Sequence, residues 1–129
     1  MTPRSGSDLF VVDSSGWLEY MTDDSKAAAF AQYLEKEDGV VVPSLVIYEV
    51  YKQLAKNRGR ALADRFMSQA LHNRIVPMDE TIALAAANAS LDHRLNGPDA
   101  IVYATARVCQ AELVTCNTHF RGLPGVIIP

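Results

Sequence analysis

The chain has 129 residues, 49% of them hydrophobic and 21% charged, with a formal net charge of −3. These values suit a globular chain with one core; they exclude fibrous repeats and extended disorder, and a chain of this size buries roughly two thirds of its unfolded surface. No apolar run approaches the ~20 residues needed to span a membrane, and the start MTPRSGSD lacks the apolar stretch of a secretory signal, so the expected setting is cytoplasmic, with no membrane partner.

Leu9 to Asp13, LFVVD, is a short apolar run closed by an acid, which fits a strand buried on both faces of a parallel sheet. Ser14-Ser15-Gly16 reads as a turn into a helix that begins at Trp17. Asp23-Asp24-Ser25 ends that helix and offers a cap to the next, where Ala27, Phe30, Ala31 and Leu34 recur at i, i+3, i+4 and i+7. Asp38-Gly39 closes it, and Val40-Val41-Val42 is a second buried strand, stopped by Pro43. Ser44 is placed to cap a third helix with the stripe Ile47, Val50, Tyr51, Leu54 and Ala55. Glu49 lies about 200° round from Ile47 and so off that stripe. After a turn at Asn57-Arg58-Gly59, Leu62, Phe66 and Ala70 mark a fourth helix.

Arg74-Ile75-Val76-Pro77 is a third short strand, and Asp79 caps a helix whose inner face runs Ile82, Ala85, Ala86, Ala89. Asn96-Gly97-Pro98 ends it and opens another, with Pro98 suited to the first helical position and the stripe Ile101, Ala104, Thr105, Val108. Asp99 falls off that stripe, in the first turn. Leu113-Val114-Thr115 is a fourth strand, Asn117 to Phe120 a turn or single helical turn, and Val126-Ile127-Ile128 a last strand.

This alternation predicts an α/β fold: three layers, α/β/α, around a mainly parallel four- to five-stranded sheet. Residues 1–8 are expected to be a flexible N-terminal segment and 9–129 a single domain. Cys109 and Cys116 match neither a disulfide framework nor a zinc site and read as incidental thiols. Lys52, Lys56, Arg58, Arg60 and Arg65 stand against Asp64 alone, so that segment carries +4 and the rest of the chain −7. A basic patch on an acidic protein is compatible with a phosphate-bearing substrate.

In parallel sheets ligands bind beyond the carboxyl ends of the strands. Asp13, Glu49 and Asp99 can all converge there. Three carboxylates close together repel and raise one another's pKa, a situation that a divalent cation relieves; oxygen donors without His or Cys suit Mg²⁺ or Mn²⁺. Each acid also has a structural reading, as a helix cap, a dipole partner or a mate for the basic segment. Rival chemistries find no support: there is no GxxxxGK[ST] and no GxGxxG. The last lysine is Lys56, where a receiver domain or a haloacid-dehalogenase-like phosphatase would want a late one. His72, His93 and His119 are scattered and read as surface or structural residues.

Four segments in order resemble the PIN-domain family, and within it the VapC-type toxins of bacterial toxin–antitoxin pairs. They are Val12-Asp13-Ser14-Ser15-Gly16-Trp17-Leu18-Glu19, Pro43-Ser44-Leu45-Val46-Ile47-Tyr48-Glu49-Val50, Asp99-Ala100-Ile101-Val102-Tyr103-Ala104-Thr105-Ala106, and Leu113-Val114-Thr115-Cys116-Asn117-Thr118-His119-Phe120, the last followed by Leu123-Pro124-Gly125-Val126. The resemblance spans essentially the whole chain from Leu9. It implies a nuclease domain over 9–129 that cleaves RNA phosphodiesters with Mg²⁺, or Mn²⁺ in its place. Asp13 and Asp99 would be the main metal ligands and Glu49 would complete the acidic cluster. Ser14, Ser15 and Thr115 would support the site by hydrogen bonds.

The sequence departs from the family where a fourth acid is common and Asn117 stands instead; this points to one metal rather than two. Lys52, Lys56, Arg58 and Arg60 are the expected RNA-backbone contacts. The resemblance further implies a small cognate antitoxin and a homodimer formed through helices of the first half, with Trp17, Tyr20, Phe30 and Tyr33 as candidate surface residues. The alternative is a degenerate, non-catalytic PIN module that binds RNA or a protein partner, which Asn117 keeps open.

Overall fold

The computed structural model describes residues 8–129; the segment expected over 1–8 lies outside the described residues apart from Asp8. Five strands, β1 (Phe10–Val12), β2 (Val40–Pro43), β3 (Arg74–Val76), β4 (Glu112–Val114) and β5 (Val126–Ile127), form one parallel sheet in the order β3-β2-β1-β4-β5. The register sets Phe10 beside Val40 and Glu112, Val41 beside Arg74, and Leu113 beside Val126. Val11, Val12, Val41, Val42, Leu113 and Val114 are all but fully buried, as central strands covered on both faces must be.

Six helices connect the strands: α1 (Ser14–Met21), α2 (Ala27–Leu34), α3 (Ser44–Arg58), α4 (Arg60–Ala70), α5 (Glu80–His93) and α6 (Gly97–Val108), with a 3₁₀ turn at Thr118–Phe120. From β1 the chain steps to β2 and then β3 in one direction. It then crosses back over the sheet to β4. Right-handed crossovers, the form nearly all such connections take, therefore put α1 to α4 on one face and α5 with α6 on the other.

Local readings hold where capping is local. Asp79 Oδ1 accepts the Ile82 amide at 2.9 Å and opens α5; Asn96 Oδ1 accepts the Asp99 amide at 2.9 Å and opens α6. Others are corrected. Helix α1 begins at Ser14 rather than Trp17, because Asp13 itself is the cap. Gly16 is therefore inside the helix. Asp24 spends its carboxylate on the Ser25 amide, so α2 starts after Lys26 with no side-chain cap. Ser44 is the first helical residue of α3, and the cap position is Pro43, which has no capping group. Pro98 is the second residue of α6.

Two faces are also rotated from the sequence pattern. Helix α3 buries Val46, Val50 and Leu54, while Ile47, Tyr51 and Ala55 are only half-buried. Helix α6 is buried almost all round from Ala100 to Ala106, and Val108 is exposed instead. Trp17 and Phe30 are fully buried, Trp17 edge-on to Phe66 at 5.1 Å between ring centroids. Neither can lie on a dimer surface; Tyr20 and Tyr33 are half-buried. Both cysteines are free thiols.

Candidate active site

Strand order reverses at β1, whose two neighbours β2 and β4 are reached by crossovers on opposite faces. The crevice beyond the carboxyl ends of β1 and β4 is where a ligand binds in such a sheet. Asp13 and Thr115 stand there, each immediately after its strand, and the Asp13 amide bonds the Val114 carbonyl at 2.9 Å.

Asp13 is 6% exposed. Its Oδ1 accepts the Ser14 amide at 2.7 Å, capping α1; its Oδ2 accepts the Thr115 hydroxyl at 2.8 Å and the Ser15 hydroxyl at 3.3 Å. The Ser14 hydroxyl donates to Glu49 Oε1 at 2.7 Å. Glu49, off the buried face of α3, is thus tied to the start of α1. Thr115 Oγ1 also accepts the Asn117 amide at 2.9 Å, which leads to the second half of the site.

There, Asp99 in the first turn of α6 faces Asn117 Nδ2 at 3.4 Å and His119 Nδ1 at 3.5 Å through its Oδ2. Asn117 Oδ1 accepts the His119 amide at 3.0 Å. The hydrogen-bond network thereby orients the amide: its oxygen caps the 3₁₀ turn and its nitrogen faces the carboxylate. A recess of about 240 Å³ opens beside Asp99, lined also by Arg94, Leu95, Asn96 and His119.

Burial raises the Asp13 carboxyl above its ordinary value. The Thr115 hydroxyl and Ser14 amide oppose this, and the charges of Asp99 and Glu49 add to it. The ionised form of Asp13 is thus held at a cost in the metal-free protein. A carboxyl with a raised folded pKa contributes stability that is present at acid pH and is lost as pH rises through the folded pKa. Asp13→Asn, which can keep the α1 cap and donate to Thr115 Oγ1, is therefore expected to raise the urea midpoint at neutral pH in EDTA. The gap to the wild type should close as pH falls toward 4. An Asn variant less stable than the wild type at neutral pH would contradict the assignment.

The expected basic residues lie on the α3–α4 hairpin. Lys52, Lys56, Arg58 and Arg60 are exposed, and Gly59, at φ 101°, makes the break between the two helices in a conformation that favours glycine. Trp17 meets Phe66 and Tyr20 meets Gln69, so α4 runs alongside α1 in the same sense. Its first turn, with Arg60, is accordingly on the Asp13 side. Lys52 engages Tyr48, with Nζ 3.4 Å from the hydroxyl and 5.4 Å from the ring centroid.

The structure therefore joins Asp13, Ser14, Ser15, Glu49 and Thr115 in one network and Asp99 with Asn117 beside it. Among the described residues, no three His, Cys, Asp or Glu side chains form a ready-made metal cluster. His119 and Arg94 line the recess although neither stood out in the sequence. The usable signal for His119 was its place two residues after Asn117, on a turn that Asn117 caps. Arg94, with φ 57° at the end of α5, had none.

The family model described as PIN domain matches residues 10–126. No curated protein sequence matches significantly. Among solved structures, a toxin–antitoxin complex from Klebsiella pneumoniae aligns with a TM-score of 0.80 at 23% identity, covering 92% of this chain and 96% of that one. The sarcin-ricin-loop-cleaving toxin VapC20 of Mycobacterium tuberculosis aligns at 0.75 and 16% identity, over 92% and 98% of the two chains. A DNA-bound VapBC from Salmonella typhimurium aligns at 0.75 and 12% identity, over 94% and 96%. At these identities the likeness establishes the fold.

Proposed function

The chain belongs to the PIN-domain family, and on that premise we propose that it is a divalent-metal-dependent endoribonuclease acting as the toxin of a toxin–antitoxin pair. The observation that carries this reading is Asp13: a buried carboxylate at the switch point of the sheet, held by Thr115 and Ser14 and repelled by Asp99 and Glu49.

The donor set fits a hard cation. The acids are oxygen ligands, and Mg²⁺ is commonly held by one or two carboxylates with water and substrate phosphate completing its shell, which agrees with a site lacking a closed cage. Asp13 and Asp99 would hold the ion and Glu49 would complete the set, directly or through water. When bound, the ion supplies a polarised phosphodiester and an acidified water.

The remaining chemistry belongs to the chain. Glu49, which accepts the Ser14 hydroxyl, would position the attacking water and accept its proton. Arg94 and His119 offer donors to phosphate oxygens in the recess beside Asp99. Asn117 keeps a neutral donor toward Asp99 where an acid would add repulsion, consistent with a single ion. Ser15 and Thr115 hold Asp13 in place.

Lys52, Lys56, Arg58 and Arg60 would bind the RNA backbone. For single-stranded RNA, each cation that pairs with a phosphate steepens the fall of log affinity against log salt by about 0.7. The Lys56→Ala/Arg58→Ala/Arg60→Ala variant is expected to bind RNA more weakly with a slope shallower by about 2, measured by anisotropy titrations over a salt series. An unchanged slope would remove the hairpin tip from the RNA path.

The proposal includes a small antitoxin partner, a homodimer and a cytoplasmic setting. Exposed Leu84 and Leu91, seven residues apart on α5, offer an apolar face for self-association that Trp17 and Phe30 do not. No helix among the described residues is long and apolar enough to cross a membrane.

The deciding experiment incubates the purified chain, free of any antitoxin, with total RNA and Mg²⁺ or Mn²⁺, with EDTA as control. Discrete metal-dependent fragments support the nuclease. RNA binding without cleavage would favour the non-catalytic module, for which Asn117 is the supporting feature.

A further inference from the structure

A second pocket, of about 290 Å³, lies at the carboxyl ends of β2 and β3, the same end of the sheet at which Asp13 follows β1. Its walls include Leu45 and Tyr48 from the start of α3, Val76 and Met78 from the end of β3, and Ile101 from α6. The same two helices carry the site: Tyr48 is next to Glu49, and Ile101 is two residues beyond Asp99. Tyr48 is 60% exposed and Met78 52% exposed at this rim, while Leu45, Val76 and Ile101 are half-buried. Lys52 stands against Tyr48, its ammonium within reach of both hydroxyl and ring.

We propose that this pocket takes one unpaired nucleobase of the RNA, adjacent to the phosphate that meets the carboxylates. The inference rests on the nuclease reading and deepens it. An exposed aromatic ring with a lysine beside it matches the two faces of a nucleotide, since the base stacks and the phosphate pairs with the cation. The volume lies at the small end of the ~300–1,000 Å³ range of ligand pockets, which suits a single base. The positive charge of Lys52, continued by Lys56, Arg58 and Arg60 on the same hairpin, complements a polyanion and selects RNA as the occupant.

Anisotropy of short fluorescein-labelled single-stranded oligoribonucleotides, with Ca²⁺ replacing Mg²⁺ to prevent cleavage, tests this against an abasic oligomer of the same length. Tyr48→Ala and Met78→Ala are expected to weaken binding of the base-bearing RNA, Tyr48→Ala by about ten-fold or more. Neither should change binding of the abasic oligomer, and Tyr48→Phe should bind as the wild type does. Equal loss on both oligomers, or loss on neither, would overturn the pocket while leaving the nuclease reading intact. Unchanged RNA affinity with inhibition by the antitoxin lost would assign the pocket to protein and overturn it as well. A wild-type chain that binds no RNA would end the nuclease reading and this inference with it.

Discussion

Asp99→Asn is expected to slow RNA cleavage about a thousand-fold while leaving the fold intact. If Asp99 holds the metal as proposed, replacing its carboxylate by a neutral amide weakens the hold on a divalent cation whose charge stabilisation of the transition state is worth several kcal/mol. Each 1.36 kcal/mol is a factor of ten in rate. The structural cost is small. Among the described residues the Asp99 side chain makes two long contacts, to Asn117 and His119, and the cap at this position uses its backbone amide, which the substitution keeps. Loss of a negative charge in the first turn of α6 costs about 0.3–1 kcal/mol. Initial rates with Mn²⁺ and Mg²⁺, paired with urea midpoints, separate the two effects. A variant that cleaves within ten-fold of the wild type would remove Asp99 from the ligand set; one that fails to fold would show that the side chain is structural.

Gly16→Ala is expected to destabilise the protein by about 1–3 kcal/mol, the range for an overpacked core position. Helix propensity alone predicts the opposite sign, since Gly is about 1 kcal/mol worse than Ala inside a helix. Packing decides. A Cβ at Gly16 would stand 2.6 Å from two ring carbons of Phe30 and 2.7 Å from Val12 Cγ1. Both neighbours are fully buried, so neither can swing into solvent. The effect reaches the site as well, because the Gly16 amide bonds the Asp13 carbonyl at 2.9 Å in the turn that presents the carboxylate. A lower urea midpoint, partly restored by adding Phe30→Leu, is the expected result. A midpoint equal to or above that of the wild type would mean that α1 lies further from α2 than described.

Gly16 also shows where sequence reading stops. Between two serines and a tryptophan it looks like turn punctuation, yet it is the residue that lets α1 pass against Phe30, fourteen positions away on another helix. The caps divide in the same manner. Asp79 and Asn96 bond amides three residues ahead; Asp79 was legible as a cap and Asn96 as part of the boundary that opens α6. Ser44 and Asp24 had the right residue type, but the chain direction leaving β2 and the tight turn before α2 placed them out of capping position.

By itself the sequence determined the elements and their order, the parallel α/β class, and the acids that follow strands or open helices. These rest on short-range physics: periodicity, strand burial and capping act over a few residues and leave a pattern there. The resemblance of four ordered segments then singled out Asp13, Glu49 and Asp99. Only the tertiary structure decided that Ser14 links Glu49 to α1, that Thr115 grips Asp13 across 102 residues of chain, and that His119 and Arg94 wall the recess beside Asp99. Those relations depend on strand order and on which face each crossover takes. Residues far apart in the chain meet only once the sheet is assembled, so no local pattern encodes the distances between them.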